Sequence, residues 1–97
     1  MFLDELVNVI EDRKQNPRAG SYTNQLFASG EDEILKKVGE EAVELILAAK
    51  AQGRQRLIEE AGDLLYHLLV LLSVKGVKLG EIENELRRRH KPEDPEG

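Results

Sequence analysis

Two acidic pairs of equal spacing carry the chemistry this chain could do: Glu41 and Glu44 in the run GEEAVE, then Glu60 and Asp63 in EEAGD. Residues three apart on a helix share a face and reach one target. Each pair borders strongly apolar sequence, so four carboxylates would meet where their repulsion is poorly screened. Mg²⁺, a hard cation that prefers oxygen ligands, would relieve that conflict. Such a site suits phosphoanhydride hydrolysis, in which a metal neutralises phosphate oxygens, orients the leaving pyrophosphate and acidifies an attacking water.

The neighbouring residues sort by what their side chains can offer. Lys37 is a point charge suited to phosphate, and Arg18 is a weaker, loop-borne counterpart. Glu40, next to the first pair, reads as an outer residue or a water-orienting base. Ser21, Tyr22 and Thr23 could add hydrogen bonds to phosphate or ribose. Against this stands a plain reading of the acids as a solvated face, with Lys37 pairing to Glu40 or Glu41. Asp63 resists that reading, because Asp is a poor helix former and this one stands mid-helix before two leucines. His67, alone on an apolar helix, reads as a satisfied core residue. Gly39 and Gly62 each cost roughly 1 kcal/mol in a helix interior, which points either to close approach of substrate or the facing helix, or to drift or ordinary helix packing.

Helices must position these groups. Phe2, Leu3, Leu6, Val7 and Ile10 recur at helical spacing, predicting a first helix that fades toward Asn16 and Pro17. Pro17 to Gly30 shows no convincing period and reads as a long, functional connection. Ser29 and Asp32 resemble a helix start, opening a second helix from about Glu31 to Gln52 that Gly53 ends. A third helix is expected from about Gln55 to Val74, stopped at Gly76. Its centre, Leu64 to Leu72, is apolar nearly all round, so it must be surrounded, and a second subunit is the expected cover. Leu79, Ile82 and Leu86 predict a short last helix. The expectation is an all-α, four- to five-helix bundle completed by dimerisation, one domain over residues 1–91 with a disordered tail over 92–97.

Composition narrows the partners. A chain of 97 residues without cysteine buries only a modest core, so oligomerisation is the expected remedy. Fourteen basic against 19 acidic residues give a net charge of −5, which disfavours nucleic acid as a partner. The basic cluster Arg87, Arg88, Arg89, His90 and Lys91 reads as a helix C-terminus complementing its dipole. Early acids argue against a signal peptide, and the longest apolar run is too short to cross a bilayer, so the expected setting is the cytoplasm, without a membrane partner.

The order E-x-x-E then E-x-x-D on helices resembles the all-α nucleotide pyrophosphatases of the MazG-like superfamily. Within it, SYTNQLFASGEDEILKKVGEEAVELILAAK followed by EEAGDLLYHLLVLL resembles the phosphoribosyl-ATP pyrophosphatase family of histidine biosynthesis, over roughly Phe2 to Arg89. The resemblance implies Mg²⁺-dependent hydrolysis of phosphoribosyl-ATP to phosphoribosyl-AMP and pyrophosphate, with the early SYT segment helping to bind substrate. Another nucleoside triphosphate pyrophosphatase of the superfamily is the alternative. A carboxylate-bridged dimetal oxidoreductase is disfavoured, because its Glu-x-x-His motifs are missing. A non-catalytic helical dimer would show no saturable Mg²⁺ site.

Overall fold

The computed structural model describes residues 1–90, so the expected domain end at 91 and the tail 92–97 lie outside the described residues. Five α-helices follow one another: α1 (Phe2–Gln15), α2 (Tyr22–Ser29), α3 (Glu31–Leu47), α4 (Arg54–Val74) and α5 (Leu79–Arg89). No strand occurs among the described residues, as expected of an all-α chain. None of these helices is long and apolar enough to cross a membrane.

The connection expected over Pro17 to Gly30 contains a helix. Ser21 opens α2 by accepting the Asn24 N–H, and Gly30 ends it at φ 95°. Eight residues burying only Thr23 and Leu26 give too short a stripe to register as a period. Ser29 does not start the next helix: its hydroxyl donates to the Leu26 carbonyl at 2.7 Å and so closes α2. Helix α3 instead begins after Gly30, with Glu31, Asp32 and Glu33 complementing the dipole of its first turn. It continues to Gln52 through a wider π-helical turn, Ala48–Gln52, and Gly53 at φ 88° turns the chain into α4.

Helix α4 ends in a Schellman motif, with the Val77 N–H bonding the Leu72 carbonyl at 2.9 Å and the Gly76 N–H the Ser73 carbonyl at 3.1 Å. Gly76 supplies the positive φ of 70°. The core gathers Ile10 of α1, Leu26 of α2, Ile34 of α3, and Leu69 and Val70 of α4. The chain therefore buries the C-terminal half of α4 by itself, and Leu69 needs no second subunit for cover. Exposed apolar residues lie elsewhere, at Leu35, Val43, Ile46 and Leu47 on α3 and Ile58 and Leu65 on α4, with others at Phe2 and Val9 on α1 and Ile82 and Leu86 on α5. Helix α5 buries no residue, and its arginines pair locally, Arg88 and Arg89 with Glu85 and Arg87 with Glu83.

Candidate active site

Helices α3 and α4 pair as an antiparallel hairpin, and that pairing brings acids from separate runs together. Glu41 is half-buried on α3, while α4 presents Glu60, 4% exposed, and Asp63 one turn later. One carboxylate oxygen from each of these three lies within 4.8 Å of the others. Burial raises the pKa of Glu41 above the ordinary carboxylate value; a hydrogen bond with Glu60 and repulsion from Asp63, Glu60 and Glu44 add to it. Negative charge is thus in excess at this point. An all-oxygen donor set under mutual repulsion fits a hard divalent cation such as Mg²⁺.

The remaining expected residues distribute unevenly around this trio. Glu44 stands outside it, one turn beyond Glu41, close enough for its charge to be felt there. Glu40 is exposed and pairs with Lys36 across 3.9 Å, rather than with Lys37. Lys37 is half-buried and forms no ion pair within 4 Å among the described residues. Its charge acts on Tyr22, opposing the burial that raises the pKa of that phenol.

Helix α2 brings the early segment to the same place. The Ser21 hydroxyl is occupied in capping, accepting the Asn24 N–H at 3.3 Å. Arg18 has an exposed side chain, and its main-chain N–H donates to Asn24 Oδ1 at 2.9 Å. Tyr22 Oη lies 2.9 Å from His67 Nε2, and the Thr23 hydroxyl bonds the Tyr66 hydroxyl. These bonds place Tyr22 and Thr23 beside the acidic stripe of α4. His67 is buried and hydrogen-bonded through both ring nitrogens, the second reaching the Asp63 carbonyl at 2.9 Å.

Arg56 escaped the sequence reading. Its guanidinium bonds Glu59 at 2.7 Å and also Glu60, so it partly neutralises the trio from one side. The four-residue interval from Arg56 to Glu60 is the signal that would have found it. An added Cβ at Gly39 or Gly62 would meet no atom within 4 Å, so crowding by the facing helix of the same chain does not explain either glycine. A 540 Å³ cleft between α1 and the α4–α5 turn contains none of these acids, so the chemistry is not there.

Comparison with known proteins follows the same residues. The sequence matches the family described as phosphoribosyl-ATP pyrophosphohydrolase over residues 3–90. The phosphoribosyl-ATP pyrophosphatase of Clostridium acetobutylicum is 56% identical over 89 residues, covering 92% of this chain and 81% of that protein. That of Clostridium novyi is 54% identical over 89 residues, with the same coverage of 92% and 81%. The histidine biosynthesis bifunctional protein HisIE of Pyrococcus furiosus is 54% identical over 90 residues, 93% of this chain but 42% of that longer protein. A match of this extent, running from α1 through α5 and across both acidic helices, means that the chain belongs to the phosphoribosyl-ATP pyrophosphohydrolase family.

Proposed function

We propose that this protein hydrolyses phosphoribosyl-ATP to phosphoribosyl-AMP and pyrophosphate in histidine biosynthesis, in the cytoplasm, with Mg²⁺ held by Glu41, Glu60 and Asp63 and joined by Glu44. The observation that carries the reading is the convergence of three carboxylates within 4.8 Å, with the pKa of Glu41 raised. When bound, the cation supplies charge neutralisation at the phosphate oxygens. The chain's own residues do the positioning that phosphoryl chemistry chiefly needs. Lys37, beside Tyr22 and without an acidic partner within 4 Å among the described residues, binds phosphate. Glu40 orients the attacking water, its 3.9 Å contact with Lys36 being long enough to give way.

Incubation of the purified protein with phosphoribosyl-ATP and Mg²⁺, followed by product analysis, tests this directly. Pyrophosphate and phosphoribosyl-AMP are the expected products. Release of single phosphate, or a preference for ordinary nucleoside triphosphates in the same assay, would replace the reading with another pyrophosphatase activity.

The protein is further proposed to act as a homodimer. Leu35, Gly39, Val43 and Ile46 share one stripe of α3, and Ile58, Gly62 and Leu65 one stripe of α4, at helical spacing. Their apolar members are exposed, Ile46 to 65% and Val43 to 56%. The α4 stripe continues into Leu69 and Leu72, which join the core cluster with Ile10 of α1, so its N-terminal half is the bare part. Exposed apolar residues on both helices of the hairpin support this reading, and a glycine in the middle of each stripe would leave room for a second copy to approach closely.

A further inference from the structure

Two adjacent residues of α2 are clasped by two adjacent residues of α4. Tyr22 bonds His67 at 2.9 Å while Thr23 bonds Tyr66, and the Tyr22 and Tyr66 rings stack at 6.0 Å with 28° between their planes. His67 lies edge-on to both rings, at 5.9 and 5.4 Å. Leu26 anchors α2 in the core. Of the clasping contacts, the His67 bond is the one that acts on the Tyr22 hydroxyl.

The direction of the Tyr22–His67 bond follows from what the other ring nitrogen faces. His67 Nδ1 lies 2.9 Å from the Asp63 main-chain oxygen and 3.8 Å from Glu41 Oε1. A carbonyl accepts and never donates, so Nδ1 holds the proton. In the neutral ring Nε2 is then bare and accepts, and Tyr22 must donate. The phenol proton is therefore committed inward, and the Tyr22 oxygen keeps only lone pairs for the site. Lys37, Glu41 and Asp63 are its charged neighbours, so whatever meets this oxygen lies next to the phosphate-binding region.

We infer that His67 is a positioning residue that fixes the Tyr22 hydroxyl as a hydrogen-bond acceptor for a sugar hydroxyl of the nucleotide substrate, rather than as a donor to phosphate. Phosphate oxygens are acceptors too and would be repelled by lone pairs. Ribose is the nearest donor-bearing unit to the phosphates along a nucleotide's covalent chain. This inference rests on the proposed reaction for the identity of the substrate, and of the two groups expected to meet Tyr22, phosphate or ribose, it selects ribose.

Tyr22→Phe, His67→Ala, His67→Gln and the double variant Tyr22→Phe/His67→Ala, assayed with phosphoribosyl-ATP and Mg²⁺, test it together with the ¹⁵N spectrum of histidine-labelled wild type. Loss of one substrate hydrogen bond should raise KM about tenfold with kcat nearly unchanged in Tyr22→Phe. His67→Ala should raise KM similarly, but add nothing in the Tyr22→Phe background. His67→Gln, whose amide oxygen can accept the phenol proton, should restore most of the loss. The spectrum should show the Nδ1-protonated neutral ring at the assay pH. Additive losses, a fall in kcat at constant KM, or a protonated Nε2 would overturn the inference. If His67→Ala fails to fold, His67→Gln, Tyr22→Phe and the spectrum still decide it. If wild type releases no pyrophosphate, the proposed reaction fails, and the spectrum alone decides the direction of the Tyr22 bond.

Discussion

The pKa of Glu41 ties the stability of the protein to its chemistry at the level of a single carboxyl group. Its folded pKa is raised by burial, then by Glu60 and its other acidic neighbours, so folding favours the protonated form. The associated stability is complete below the unfolded carboxylate value and is lost as pH rises through the higher folded value. Glu59 and Glu85, held below the ordinary carboxylate value by their arginine partners, act in the opposite direction but are common to wild type and Glu41→Gln. In chelator, the thermal midpoint of wild type relative to Glu41→Gln should therefore fall as pH climbs from the acid range toward neutral, and Mg²⁺ should restore stability to wild type at neutral pH but little to the variant. Glu60→Gln and Asp63→Asn should cut pyrophosphate release by about a hundredfold or more while far-UV circular dichroism stays native. Glu44→Gln, outside the close trio, should cost less. Arg56 works against the cation by pairing with the buried carboxylate of Glu60, and Arg56→Gln should tighten Mg²⁺ binding severalfold. Unchanged affinity in a calorimetric titration would remove Arg56 from the site.

Helix α2 is the element on which the site depends and the one least visible in the sequence. Three long helices were legible because their apolar periods run for several turns, and Gly53 and Gly76 stop them where positive φ is needed. Eight residues offer two turns, and only Thr23 and Leu26 are buried, so no period could accumulate. Local chemistry holds this segment instead. Asn24 donates to the Arg13 carbonyl at 2.7 Å and accepts from the Arg18 N–H at 2.9 Å, tying α2 to the end of α1 and to the intervening loop. Asn24→Ala should cost about 1–2 kcal/mol through the loss of these two bonds, a fall of roughly 4–8 °C in thermal midpoint per kcal/mol. It should also raise KM, because Tyr22 rides on the same helix. A stability loss without a change in KM would mean that the clasp to α4 alone holds Tyr22 in place.

Across the whole molecule, the need for cover was readable from Leu64 to Leu72, but its location was not. A helix apolar on every side announces that something surrounds it, and only the path of α1 decides which half its own chain serves. Leu69 and Val70 fall under α1 and α2, whereas Ile58 and Leu65, with Val43 and Ile46 across the hairpin, stay bare. The two substitutions Leu69→Asp and Ile46→Asp should therefore fail differently. A charge at Leu69 enters the intrachain core and should unfold the protein, since an unpaired buried charge is strongly unfavourable. A charge at Ile46, 65% exposed in the single chain, should leave the helices intact and separate the subunits. Sedimentation at micromolar concentration should show wild type as a dimer and Ile46→Asp as a monomer, each with native far-UV circular dichroism. Gly39→Ala and Gly62→Ala refine the test, because in an isolated chain each should stabilise by up to about 1 kcal/mol through helix propensity, into space that no atom of the same chain occupies. At a close subunit contact the added methyl should instead weaken the dimer, so that stability rises at high dilution while association falls. A wild type that sediments as a monomer would leave the bare stripes of α3 and α4 without the partner proposed for them.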